Sequence, residues 1–196
     1  MSISTDNTTP TALTAENFQC DVDGNINDAT FQWSVTPDDG TYSIAAATAK
    51  ATNITFNAAK TYNVTCKVSS ATAQNSPVTS APTVVNVVGL TGLSGVTLGG
   101  PQTVTELNVG KNYTSSASSG QNIQGTTTYQ WTAEDDNTKE TSGIGVVIAT
   151  PNDQDTSVTY TSNALNRTIA LRCKWTNAAY SDSPKTGKRN VVISGD

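Results

Sequence analysis

Histidine is absent from the 196 residues of this chain, methionine occurs once and cysteine three times. Without histidine there is no Ser-His-Asp or Cys-His arrangement, and the side chain most used for proton transfer and transition-metal binding near neutral pH is missing. Cys20, Cys66 and Cys173 are too far apart in sequence to resemble a zinc site. The sequence therefore implies no catalytic residue, no metal, no cofactor and no enzyme activity. Charged residues make up only 14% of the chain, its net charge is −5, and no block of Lys and Arg stands out. That speaks against nucleic acid as a partner, because phosphate contacts need gathered basic side chains. No apolar run approaches the roughly 18 residues of a membrane-spanning helix, so no membrane partner is expected. Met1-Ser2-Ile3-Ser4-Thr5-Asp6 has neither the basic nor the apolar region of a secretory signal. Synthesis in a cytosol is the expectation, with the sequons at Asn53, Asn63, Asn112 and Asn166 as accidents of composition.

What fills the chain is Thr, Ser, Asn, Ala, Gly and Val, residues of strands and turns. Apolar positions recur with period 2 and seldom at helical spacing, the pattern of half-buried antiparallel strands. One motif pair occurs twice: Phe31-Gln32-Trp33 precedes Cys66-Lys67-Val68, and Tyr129-Gln130-Trp131 precedes Cys173-Lys174-Trp175. Around it, Phe18, Cys20 and Val22 alternate, as do Tyr62, Val64, Cys66 and Val68. In the second half Tyr113, Ser115 and Ala117 correspond to the first set, and Ile169, Leu171, Cys173 and Trp175 to the second. Asn75-Ser76-Pro77 and Asp182-Ser183-Pro184 occupy matching connections.

An aromatic-x-Trp strand facing a later Cys strand resembles the core of immunoglobulin-like (Ig-like) sandwiches. The expected fold is all-β, two tandem immunoglobulin-like β-sandwich domains: residues 1–89, a short hinge at 90–94 marked by Gly89, Gly92 and Gly95, and residues 95–196. In Ig lettering, Phe18 and Tyr113 mark strands B, Trp33 and Trp131 strands C, Ile54 and Val158 strands E, Cys66 and Cys173 strands F, and Val84–Val88 and Val191–Ile193 strands G. Trp33 precedes Cys66 by 33 positions and Trp131 precedes Cys173 by 42. The surplus falls around residues 138–155, where Ile144-Gly145-Val146-Val147-Ile148 reads as an ordinary C′ or D strand, an added strand, or a long excursion.

Cys20 and Cys66 hold the B and F positions of an inter-sheet disulfide, and both the bond and a pair of thiols remain open readings. Ser115 stands where Cys173 would need a partner, so Cys173 reads as a free, buried thiol. Asp38-Asp39-Gly40 and Asp135-Asp136-Asn137 follow strand C in both halves. They offer oxygen ligands to calcium, but read better as turns. Residues 1–89 carry three Lys and seven Asp/Glu, a net −4; residues 90–196 carry eight Lys/Arg and nine Asp/Glu, a net −1. Arg172 and Lys174 on strand F, with Lys185, Lys188 and Arg189 on or near strand G, form the candidate partner-docking face. Solvation of an exposed sheet is the simpler reading of the same residues.

The repeat of Phe31-Gln32-Trp33 with Val64-Thr65-Cys66, and of Tyr129-Gln130-Trp131 with Leu171-Arg172-Cys173, resembles the Ig-like and PKD-like repeats of tailed-phage structural proteins. The pattern is similar to that of Hoc-type (highly immunogenic outer capsid) head decoration proteins. The resemblance implies a non-enzymatic virion surface protein, located on the capsid surface and bound to the capsid (shell) protein, with host surface glycans as a further class of partner. It departs from that family in ending on a G strand, without a separate capsid-binding domain. Similar repeats occur in bacterial adhesins, so an adhesin-like or carbohydrate-binding module of a larger surface protein is the alternative.

Overall fold

The computed structural model describes residues 1–24, 26–118 and 121–195. It divides into two compact units, Met1–Thr91 with Ala178–Ser181, and Gly92–Asn177 with Asp182–Asp196. Each is an all-β sandwich of Ig type.

In the first unit, β1 (Ser2–Thr5), β2 (Ala15–Asp21), β3 (Thr30–Thr36) and β4 (Tyr42–Ile44) are followed by β5 (Ala51–Phe56), β6 (Thr61–Ser69), β7 (Val78–Thr79) and β8 (Thr83–Asn86). One sheet runs β1-β2-β5-β4; the other runs β3-β6-β7, with β8 also on β6. The period-2 pattern decides what is buried: Phe18 and Cys20 on β2, Trp33 and Val35 on β3, Ile54 and Phe56 on β5, and four alternate residues of β6 from Tyr62 to Val68. Phe18 meets Trp33 and Phe56 edge-on at 6.4 and 6.3 Å, and Phe56 packs on Tyr62 at 4.7 Å. Each such ring contributes about 1.5–3 kcal/mol through burial. The strand expected at Val84–Val88 is β8 with the Val88 bridge that follows it, and a short β7 precedes it. Pro82 lies between β7 and β8 and has no N–H to donate to a ladder. Val85 and Val87 point inward, while Val84 and Val88 are 48% and 54% exposed.

The second unit repeats this plan with β9 (Val96–Gly99), β10 (Thr103–Val104), β11 (Lys111–Ala117), β12 (Thr128–Asp135), β13 (Val146–Ile148), β14 (Thr156–Tyr160), β15 (Thr168–Thr176) and β16 (Lys185–Ile193). Its sheets run β13-β14-β11-β9 and β10-β16-β15-β12. In both units the chain entering the sandwich makes a parallel pairing with the last strand. Thr11 bridges Val88 in the first, and β10 pairs with β16 in the second. The second core joins Trp131, Tyr113, Tyr160, Ile169, Leu171, Cys173 and Trp175.

Val146–Ile148 pairs with β14 as Tyr42–Ile44 pairs with β5, so this segment is the ordinary D strand. Most of the surplus length lies before it, in residues 136–145. Gly145 anchors that connection: its φ is +71°, its carbonyl accepts the Thr161 N–H at 2.8 Å, and a Cβ there would lie 2.5 Å from the Ala164 nitrogen. Gly187 is needed for a different reason. On β16 it lets the β9 backbone pass so close that a Cβ would fall 2.5 Å from the Val96 carbonyl oxygen.

Candidate functional site

The five basic residues of the expected docking face do not share one face. Arg172 pairs in register with Lys188, and Lys174 with Thr186, so Arg172, Lys174 and Lys188 stand together on the outer side of the β12-β15-β16 sheet. Arg189 pairs with buried Leu171 and Lys185 with buried Trp175, which gives both the inward parity. Arg189 reaches the turn after β9, donating to the carbonyls of Leu98 at 2.8 Å and of Gly100. It is a strut between the two sheets of its own domain. Lys185 lies 3.5 Å from the Asp182 carboxylate.

The outer three are also partly neutralised. Arg172 donates to Glu134 at 2.7 Å and Lys188 to Asp136 at 2.6 Å; Lys139 and Asn190 bind Asp136 as well, at 3.1 and 2.9 Å. The Lys188 and Lys139 ammoniums hold the Asp136 carboxyl down to about 2, and Arg172 lowers that of Glu134. Lys174 is exposed and has no ion-pair partner among the described residues. The acidic partners were legible: Glu134 has the outward parity of Gln130 and Thr132 on strand C.

The acidic turns are occupied by protein groups. Asp135, 4% exposed, takes Arg167 at 2.7 Å and the N–H groups of Asn137 and Thr138. Asp39 binds Lys60 and the Thr41 N–H, and Asp38 accepts from Tyr42. These carboxylates fix their turns through ammonium, guanidinium, hydroxyl and backbone donors.

Cys20, Cys66 and Cys173 are all buried free thiols in this structure. Burial and the neighbouring Cys20 push the Cys66 thiol up to about 12, and burial also raises that of Cys173. Ser115 replaces a thiol by a satisfied hydroxyl, donating to the Gln154 carbonyl at 2.7 Å and accepting from Trp175 Nε1 at 3.0 Å.

That hydroxyl leads to a feature that the motifs did not single out. Two adjoining clefts in the second domain, of about 410 and 470 Å³, share Thr127, Tyr129 and Gln154. They lie where the B–C connection (residues 121–127) meets the D–E connection (residues 149–155). Tyr129 is half-buried, edge-on to Trp175 at 5.4 Å, and its hydroxyl has no hydrogen-bond partner among the described residues. The D–E side is held from beneath: Trp131 Nε1 donates to the Asp153 carbonyl at 2.9 Å, and Gln154 Nε2 donates to the Ser115 carbonyl at 2.9 Å. The side chains of Asn122, Asn152 and Asp153 line the clefts and make no hydrogen bond within the described residues.

No family model matches the chain, and no curated protein matches it. Solved structures similar to it include the adhesin InvE of Yersinia pseudotuberculosis, at 12% identity over 97% of this chain, with a TM-score of 0.43. This chain spans 58% of that one. Murine CEACAM1b is 11% identical with a TM-score of 0.39, and the D0–D1 domain of intimin is 12% identical with a TM-score of 0.33; each likeness covers 98% of both chains. The overlap is low in every case. The Ig-like character of each domain rests on its strand order, its registers and the parallel pairing onto its last strand.

Proposed function

We propose that this chain is a non-enzymatic recognition module, adhesin-like in use, whose second domain carries the ligand-facing site. One observation carries the reading. The charged side chains of the expected docking face are mostly engaged within their own domain, whereas exposed Asn122 in one cleft and exposed Asn152 and Asp153 in the adjoining one flank the half-buried Tyr129 ring that both clefts share. A few polar side chains gathered beside an aromatic ring at a concavity are the usual makings of a ligand site.

A second reading, a head decoration protein bound to a capsid shell, is favoured by Lys174 standing free beside Arg172 and Lys188. Such exposed charges would mainly speed association and make it salt-sensitive. One capture experiment separates the two. Beads carrying the full chain are presented to intact cells and to phage particles. Loss of capture with Asn152→Ala, but not with the paired change Arg172→Glu and Lys174→Glu, supports the cleft. The opposite pattern moves the site to the β12-β15-β16 face and favours the shell-binding reading.

A further inference from the structure

We infer that the cleft around Tyr129 takes a neutral saccharide, an inference that rests on the recognition-module reading and names the ligand class of that site. The chemistry of the lining selects among ligand classes. Asn122, Thr127, Asn152, Asp153 and Gln154 surround Tyr129, and the described lining of the two clefts contains no Lys or Arg. A phosphate, sulfate or sialic acid would meet the Asp153 carboxylate with no cation to offset the repulsion. A purely apolar ligand would bury amide and carboxylate groups without hydrogen bonds, which is costly. A sugar ring matches both halves of the site. Its axial C–H groups can lie on the Tyr129 ring, as an amphipathic aromatic surface allows. Its vicinal hydroxyls can take the donor and acceptor pairs of Asn122 and Asn152 and the acceptor pair of Asp153.

The cleft is also prepared for a ligand before one arrives. The D–E side is fixed by the Trp131–Asp153 and Ser115–Gln154 hydrogen bonds. On the B–C side, Asn177 Nδ2 holds the Gln124 carbonyl and the Thr127 hydroxyl at 2.9 and 3.0 Å. Both walls are therefore tied to the sandwich, which lowers the ordering cost of binding. The corresponding end of the first domain differs. The described lining of its cleft of about 410 Å³ is Val22, Ile26, Val68 and Val78 together with polar loop residues, with no aromatic ring among them.

The test is a titration of the full-length, ¹⁵N-labelled chain with neutral di- and trisaccharides of glucose, galactose, mannose and N-acetylhexosamines, followed by NMR. An open groove buries little of its ligand, so a Kd on the order of 1 mM is expected. At least one neutral sugar should shift the backbone signal of Tyr129, the side-chain amide signals of Asn152 and Gln154, and the Trp175 indole signal. Asn152→Ala, at an exposed position whose side chain makes no hydrogen bond among the described residues, should weaken that sugar about tenfold or more with the rest of the spectrum unchanged. Tyr129→Ala should abolish binding. The inference is overturned if no neutral sugar shifts these signals at roughly 20 mM, if Asn152→Ala leaves the affinity unchanged, or if 3′-sialyllactose binds more tightly than its neutral parent. If sugars fail while bead capture still depends on Asn152, the cleft binds another class of ligand and the recognition-module reading stands.

Discussion

In the first domain Trp33 pairs in register with Cys66, Cys20 stands on the opposite sheet, and the Cys20 N–H donates to the Lys50 carbonyl at 2.9 Å. In the second, Trp131 pairs with Cys173, but Ser115 takes the place of Cys20, and it is the Ser115 hydroxyl that binds the equivalent carbonyl, that of Gln154. Both tryptophan indoles donate to the D–E connection, Trp33 to Ala49 and Trp131 to Asp153. The frame is the same, and the difference lies in what reaches the surface from it. The first domain fills its core with Phe18, Phe56 and Tyr62 and leaves alanines on the D–E connection. The second trades a thiol for a hydroxyl network through Trp175 and presents Asn152, Asp153 and Gln154 beside Tyr129. A sandwich frame can thus be kept while its core is refilled and its loop ends re-equipped, which is how this architecture acquires binding surfaces.

The largest effects should come from breaking what the domains share. Trp33→Ala and Trp131→Ala should each cost roughly 3–5 kcal/mol, measured in denaturant melts, because each empties an equivalent buried site. Near-native stability in both variants would undo the correspondence. Next in size, Ser115→Ala should cost about 1–3 kcal/mol by leaving the Trp175 indole N–H and the Gln154 carbonyl without their partner. It should also broaden the NMR signals of residues 152–154, an effect with no counterpart in the first domain.

Thiol chemistry sharpens the same comparison without changing stability. Cys173 should always be alkylated under denaturing, non-reducing conditions in a monomeric preparation, since its counterpart is Ser115. A peptide linking Cys173 to Cys20 or Cys66 would break the alignment of the domains.

The smallest expected effect separates the domains by pH. In the first, the Asp28 carboxylate accepts from the Ser70 and Thr72 hydroxyls and the Ala71 and Thr72 N–H groups, which hold its pKa down to about 2. A carboxyl lowered from its unfolded value of about 3.9 stabilises the fold fully above that value. The contribution fades as pH falls toward 2, where the folded form also takes up its proton. The second domain makes its B–C tie with Asn177, which does not titrate. Amide exchange near residues 70–73 should therefore speed up between pH 4 and 2 more than exchange near residues 124–127.

Much of the frame was legible in sequence because buried strands must alternate: Phe18, Cys20, Trp33, Tyr62, Val64 and Cys66 all point inward as their parity required. The Ser76-Pro77 and Ser183-Pro184 match was equally informative, since each serine hydroxyl accepts the N–H six residues before it, from Ser70 and Asn177. The basic face was read less well, because composition places charges on strands but pairing register decides their side. Arg189 could have been removed from it by counting parity from Val191 and Ile193. The cleft was not legible. Its residues come from two connections far apart in sequence, and what sets Asn152 apart from other asparagines is the geometry that Trp131 and Ser115 impose beneath it.

Site-specific photo-crosslinking tests the central claim most directly. A benzophenone amino acid is placed in the full chain at Asn152, at Gln74 on the corresponding end of the first domain, or at Lys174, and each variant is irradiated on the cells or particles that the wild-type chain binds. Crosslinks from position 152, with few from 74 and 174, are the expected result. Crosslinks concentrated at 74 would contradict the account by placing recognition in the first domain, and crosslinks concentrated at 174 would contradict it by placing recognition on the basic face.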